Sequence, residues 1–282
     1  MLRLRHVLFA FTAILLLLTH IGLNYTHISA IAETSADVRL PILMYHKISE
    51  KPGSWGKYVI SPDELEADIR LILARGFTPI TISQLEAYIK GASPLPEKPI
   101  MLTFDDGNRS DFVYAFPLAQ KYNVKMISSP VGIYTEDSSN SDDHNVNYAY
   151  LSWEEIREMQ NSGLFEFQNH SYNLHNFDAN RKGCLKSKSE SESDYEALIL
   201  HDFKTAQELF AKNGIKTPTC FTYPFGSTNS RLLEYIRELG FTSTLGTYES
   251  VNTIDGDLYD LYRFNRAHNL DIRKILNAAE KP

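Results

Sequence analysis

The chain has 282 residues, 43% of them hydrophobic and 22% charged, a balance that supports one substantial core and excludes a disordered or fibrous protein. Its formal charge of −7 at neutral pH argues against nucleic acid or an anionic membrane surface as partner. The two cysteines, Cys184 and Cys220, are too few for a disulfide scaffold and read as free or incidental.

Arg3, Arg5 and His6 precede the apolar run VLFAFTAILLLLTHIGL, and Ala30-Ile31-Ala32 offers small residues at the spacing of a signal-peptidase site. Residues 1–32 are therefore expected to be a signal peptide or, because the run is long enough to span a bilayer, an uncleaved N-terminal membrane anchor. No cysteine stands near the junction to carry a lipid. Residues 33–282 are expected to form one exported domain, secreted or at the cell surface and monomeric. Loss of Arg3 and Arg5, with no acid removed, takes its formal charge from −7 to −9.

From Val38 on, apolar β-type runs alternate with amphipathic helical ones. RLPILMYH reads as a strand. SPDELEADIRLILARG reads as a helix, with Ser61 as N-cap, Pro62 in the first helical position, Glu64 completing a capping box and Gly76 ending it. A short strand at 77–80, a helix at 83–90, the strand PIMLTF, a helix at 112–122 and the strand VKMISSPV follow. After a polar loop to Asn147, Ser152 and Glu155 open another helix. LFEFQ is a strand, and the polar segment 181–194 reads as a solvated, mobile loop before a helix at 195–213. The strand TPTCFTYP, a helix at 230–239, the strand GFTSTLG, an extended piece at 259–264 and a helix from Asp271 complete the chain. Repeated strand–helix units imply an α/β fold with parallel strands and outer helices, a closed or nearly closed barrel rather than an open sheet. In either form, functional groups gather at the C-terminal strand ends.

PIMLTF ends in Asp105-Asp106-Gly107, and LFEFQ ends in Asn169-His170 with His175 five residues on. Asp-Gly alone is a common turn signal and a lone histidine is usually a packed or surface residue. The coincidence of an acid pair and a histidine pair, each closing an apolar strand, carries more weight. An interval of five matches neither helix nor strand periodicity, so it marks a bend. Two imidazoles and one carboxylate make a three-ligand site with open positions, suited to catalytic zinc. Ser171, Tyr172 and Asn173 can supply turn chemistry and hydrogen bonds that orient the rings. The acid that does not bind the ion stays within reach of a metal-bound water, where a general base belongs.

TFDDG (103–107), the histidine motif, YPFG (223–226) and the early LMYH together resemble the polysaccharide deacetylases, the carbohydrate esterase group with a NodB homology domain. Their order is most like the branch of exported biofilm poly-N-acetylglucosamine deacetylases, and the resemblance runs from about Pro41 to Arg266. It implies a distorted (β/α) barrel and removal of N-acetyl groups from an N-acetylglucosamine-containing glycan. It implies Asp105 as base, Asp106, His170 and His175 as metal ligands, and the Phe225 N–H at the oxyanion, in the motif that Tyr223 opens. Zn2+ is the expected metal, with Co2+, Ni2+ and Fe2+ as alternatives.

His46, at the end of the first strand, is expected to touch substrate or to be a packed structural residue. Many members carry a base-orienting arginine where this chain has Thr222, so Arg266 is the candidate for that task and His268 the candidate general acid. The rival functions are a decayed deacetylase fold that binds cell-wall glycan, a non-haem iron oxygenase, which uses the same ligand set, and a glycosidase using both acids.

Overall fold

In the computed structural model, which describes residues 38–177 and 180–281, the first β-type run is split at Pro41 into β1 (Val38–Leu40) and β2 (Ile42–Tyr45). Proline has no N–H to give to a ladder, and Pro41 serves only as an acceptor, from the Met101 N–H. The expected signal or anchor, residues 1–32, lies outside the described residues. Among the described residues no helix is long and apolar enough to cross a membrane.

Two short strands, β3 (Lys47–Ile48) and β4 (Val59–Ile60), lead into the helix Pro62–Ala74, which begins as its sequence dictates. The Glu64 N–H donates to Ser61 Oγ at 3.1 Å and the Ser61 N–H to the Glu64 carboxylate at 3.0 Å. Next come β5 (Thr78–Pro79), the helix Ile82–Ile89, and β6 (Pro99–Asp106). A wide turn at Asp111–Ala115 leads into the helix Phe116–Tyr122, then β7 (Met126–Pro130) and the helices Gly132–Ser139 and Trp153–Asn161. β8 (Phe165–Phe167), the helix Glu192–Lys212, β9 (Cys220–Thr222) and the helix Ser230–Glu238 follow. The chain closes with β10 (Ser243–Leu245), β11 (Asn252–Ile254), β12 (Phe264–Asn265) and the helix Arg273–Ala279.

The central sheet runs β12-β2-β6-β7-β8, every pair parallel, with β5 beside the first residues of β6. β9 and β10 form a second parallel pair, and β1 pairs with β11. Isolated parallel bridges, Asn169 to Phe221 and Leu245 to Leu261, connect the chain beyond β8 to β9 and the end of β10 to the segment entering β12. The fold is α/β, with parallel strands as the alternation requires.

Period-two alternation along β6 sorts its side chains. Ile100, Leu102 and Phe104 join Leu43, Tyr45, Phe165 and Phe167 in a core against helix residues such as Leu65, Ile69, Ile156 and Met159. The alternate residues Met101, Thr103 and Asp105 face the other way and are also buried. A second apolar cluster packs Tyr195, Ile199 and Phe203 of the helix Glu192–Lys212 against Phe221, Leu232 and Phe241. Each large side chain so buried contributes about 1.5–3 kcal/mol.

Two segments depart from the sequence reading. The helix Gly132–Ser139 stands where a polar loop is expected, because GIYTEDSS has no apolar stripe and its start is fixed by tertiary bonds, Gly132 N–H to Ser171 O and Ile133 N–H to Tyr172 O. The 181–194 segment is tied down rather than loose: Cys184 is fully buried, Tyr195 donates to the Cys184 carbonyl, and Arg181 pairs with Glu190. Cys184 and Cys220 are both buried and free.

Candidate metal centre and active site

β6 sends its two acids in different directions. Asp105 still follows the strand and lies opposite Ser129 of β7, whereas Asp106 and Gly107 adopt φ of 71° and 70°. This left-handed pair turns Asp106 away from Asp105. Only glycine suits position 107, since a Cβ there would lie 2.5 Å from Pro130 Cβ.

His170 follows Asn169, which exchanges backbone bonds with Cys220 and Thr222. Its Nδ1–H donates to the Thr222 carbonyl at 2.7 Å, which leaves Nε2 with its lone pair free. Ser171 then takes φ of 70°, and the bend brings His175 back to within 5.0 Å of the His170 ring. Both Nε2 atoms face the same Asp106 Oδ1, at 3.6 Å from His170 and 3.2 Å from His175. Ligand atoms about 2.1 Å from a common tetrahedral ion stand about 3.4 Å apart. The three donors lie within 4.8 Å of one another, so this set fits a divalent metal, whose identity the donors leave open among the N/O-binding ions. Burial pushes the Asp106 carboxyl up, but the two imidazoles that face it outweigh burial and hold it well below the usual carboxylate range.

Asp105 is held by Arg263, not by Arg266. Arg263 Nη1 donates to Asp105 Oδ1 at 2.7 Å and Nη2 to Oδ2 at 2.8 Å, while Nε donates to the Gly246 carbonyl. Burial raises the Asp105 carboxyl, yet the Arg263 charge and its hydrogen bonds keep it below its ordinary value. The expectation for Arg266 is corrected: its Nε and Nη2 donate to Asp68 at 2.6 and 3.1 Å. The cause is the extended backbone around β12, where residues 263 and 265 share one face and 264 and 266 the other. Asn265 lines the cavity described below, on Arg263's side, and Arg266 turns back to the helix Pro62–Ala74.

His268 is likewise removed from the centre. Its Nδ1 lies 2.9 Å from Glu64 Oε2 and its ring 5.0 Å from that of Trp55, against the start of the same helix. The expectation of a general acid there is corrected, because the chain leaves the strand-end face after β12.

His46, Tyr223 and Phe225 do meet at the centre. They line a cavity of about 630 Å³ together with Asp105, Asp106, His170, His175, Lys57, Tyr58, Phe177 and Glu249. His46 Nδ1 is buried with no hydrogen-bond partner among the described residues, and burial holds the imidazole below its ordinary pKa against the pull of Asp105 and Asp106. Phe225 has φ of 58°, sets its ring 4.5 Å from that of His175 at a tilt of 32°, and is 38% exposed. Tyr223 is buried beside Phe221, and burial pushes its hydroxyl up to about 12, so it stays protonated. Arg263 is the residue the sequence reading passed over; its signal was the alternation within YRFNRAH.

Residues 92–244, which include both acids, both histidines and the 223–226 turn, match the family model described as polysaccharide deacetylase. The chain belongs to the polysaccharide deacetylase family. Within it, the chain is similar to the poly-beta-1,6-N-acetyl-D-glucosamine N-deacetylase of Escherichia coli (strain K12), 25% identical over 217 residues that make up 71% of this chain and 32% of that one. It is also similar to the protein of that name from Staphylococcus aureus (strain MSSA476), 26% identical over 206 residues, 73% of this chain and 67% of the other. The match thus spans about a third of the Escherichia coli relative's length. In fold it is similar to a de-N-acetylase from Aggregatibacter actinomycetemcomitans, with a TM-score of 0.75 at 23% identity over 85% of this chain and 99% of that one.

Proposed function

We propose that this polysaccharide deacetylase removes N-acetyl groups from an N-acetylglucosamine-containing extracellular glycan by metal-assisted amide hydrolysis, releasing acetate. The observation that carries the reading is the convergence of Asp106, His170 and His175 on one point, beside an Asp105 that Arg263 holds ionised. Poly-β-1,6-N-acetylglucosamine is the first substrate to test, because the relatives' names specify it, and peptidoglycan and chitin fragments carry the same acetamide.

The three ligands would hold Zn2+, which when bound polarises a carbonyl and lowers the pKa of its water. Asp105 takes the proton of the attacking water. Its ionised state at neutral pH follows from Arg263. The Phe225 N–H, set at the cavity by its left-handed backbone, donates to the developing oxyanion. His46, the remaining imidazole of the cavity and neutral through burial, is assigned the relay of that proton from Asp105 to the leaving sugar amine. Tyr58, Phe177 and Phe225, exposed at 46%, 70% and 38%, offer aromatic faces to sugar rings at the mouth.

Three further assignments belong to the same proposal. We read the fold as a distorted, nearly closed barrel of the NodB type, a reading supported by the ladders and bridges that run from β12 through β10 and back to Leu261. The branch is that of the biofilm deacetylases, and the site of action is the cell surface or beyond, with residues 1–32 as export signal or tether. A decayed, glycan-binding role drew its support from the missing arginine at Thr222, and the Arg263–Asp105 pair speaks against it. Acetate release from the three glycans, with and without chelator, tests the function; glycan binding at full metal occupancy without acetate would overturn it.

A further inference from the structure

The bend that joins the two imidazoles has no ladder of its own. Its successive backbone donors end on side-chain oxygens: Ser171 N–H on Asn169 Oδ1 at 2.7 Å, and Leu174 N–H on Ser171 Oγ at 3.1 Å. The two between them, Tyr172 N–H and Asn173 N–H, end on the two oxygens of Asp202, at 2.8 and 2.7 Å. Asp202 is 4% exposed and comes from the helix Glu192–Lys212, about thirty residues along the chain. It is therefore the one member of this set that lies outside the bend.

Consecutive N–H groups converging on a carboxylate form a nest, a geometry that fixes the backbone dihedrals producing it. The opposite edge of the bend is pinned through its carbonyls, Ser171 O and Tyr172 O accepting from Gly132 and Ile133, and Tyr172 Oη donates to Glu136 at 2.9 Å. Ser171 sits at φ of 70°, a conformation that costs a non-glycine residue about 1–3 kcal/mol unless its surroundings impose it. Asp202 also occupies a core-facing place on its helix, within the stripe Tyr195, Ile199, Asp202, Phe203 and Ala206. A carboxylate there is expensive to bury unless it has a task.

We propose that Asp202 is the positioning residue of the metal centre, its carboxylate acting as the template that sets the spacing of His170 and His175. The proposal rests on the metal-site reading above. Burial pushes the Asp202 carboxyl up to about 6 while the two N–H donors pull it down, so it remains largely ionised at neutral pH. The alternative is that Asp202 only satisfies buried backbone donors, in which case its loss lowers stability and leaves metal affinity alone.

The test is zinc affinity of the full chain, measured by competition with a chromophoric chelator at neutral pH, alongside the melting temperature of the metal-free protein. Asp202→Asn keeps the shape and loses one acceptor; zinc binding is expected to weaken by about 10–100-fold. Phe203→Leu, on the same helix, lowers the melting temperature through packing and is expected to leave zinc affinity at the wild-type value. Asp202→Glu, which keeps the charge but adds a methylene, serves if the asparagine chain does not fold, and it too should bind zinc more weakly than wild type. Wild-type affinity in the Asp202 variant that folds, or equal weakening in Phe203→Leu, overturns the proposal. A wild-type chain that takes up no zinc overturns the metal reading itself and this proposal with it.

Discussion

Arg263 grips both oxygens of Asp105, at 2.7 and 2.8 Å, with Arg263 fully buried and Asp105 3% exposed. The pair spans 158 residues of sequence and lies between the end of β6 and the entry to β12. A two-pronged contact of this kind fixes the direction of the carboxylate as well as its charge.

Removing one partner leaves a buried charge alone. Arg263→Met is expected to destabilise the fold by about 3–5 kcal/mol, read by denaturant unfolding. Arg263→Lys keeps a charge but cannot make the fork. It should retain the metal and lose kcat, whereas unchanged kcat in Arg263→Lys would remove Arg263 from the proposed machinery.

The two histidines that the sequence reading offered as acid or substrate contact are separated by one pair of variants. His46→Gln should lower kcat by about 100-fold or more with metal content unchanged. His268→Gln, at a position paired with Glu64 and away from the cavity, should leave kcat near wild type. The reverse pattern would restore the assignment to His268.

Glu64 gives the fold an acid-sensitive component. Burial pushes its carboxyl up, but hydrogen bonds from Ser61 N–H, His268 and Asn269 N–H, with the Arg266 charge, bring it from 4.5 down to about 2. The folded state thus sheds a proton that the unfolded chain retains between those values. This stabilisation is fully present above about pH 4.5 and is lost as pH falls toward about 2. Glu64→Gln preserves the capping box and removes the titration. Wild type should exceed it by roughly 1–2 kcal/mol at neutral pH, with the two curves converging at the acid end.

The turn that presents the Phe225 N–H depends on the next residue. Gly226 has φ of 62°, and a Cβ there would meet Thr247 Oγ1 at 1.9 Å. Gly226→Ala is expected to cost about 1–3 kcal/mol and to reduce kcat. Adding Thr247→Gly relieves the clash but not the backbone strain, so recovery of stability should be partial. Full activity in the single variant would argue against an oxyanion role for this turn.

Much of the architecture was legible because local chemistry and tertiary structure agree. Ser61 with Glu64 and Ser152 with Glu155 cap helices where their spacing says they should, and alternation along β6 separates core from site. The bend between His170 and His175 was also visible, as an interval that no regular element explains. What the sequence hid depends on distant partners. Asp202 looks like one more polar residue on a long helix until the helix packs on the bend, and Arg263 differs from Arg266 only by which face of an extended segment it occupies. The helix Gly132–Ser139 carries no apolar stripe at all; two N–H groups bonded to the same bend fix where it starts.

The most direct measurement of the central claim is acetate released by the metal-loaded protein from poly-β-1,6-N-acetylglucosamine oligomers, compared with the chelated protein and with Asp106→Ala. Acetate that appears only with metal and vanishes in Asp106→Ala is the predicted result. Acetate release that survives both chelation and Asp106→Ala would contradict a mechanism built on Asp106, His170 and His175.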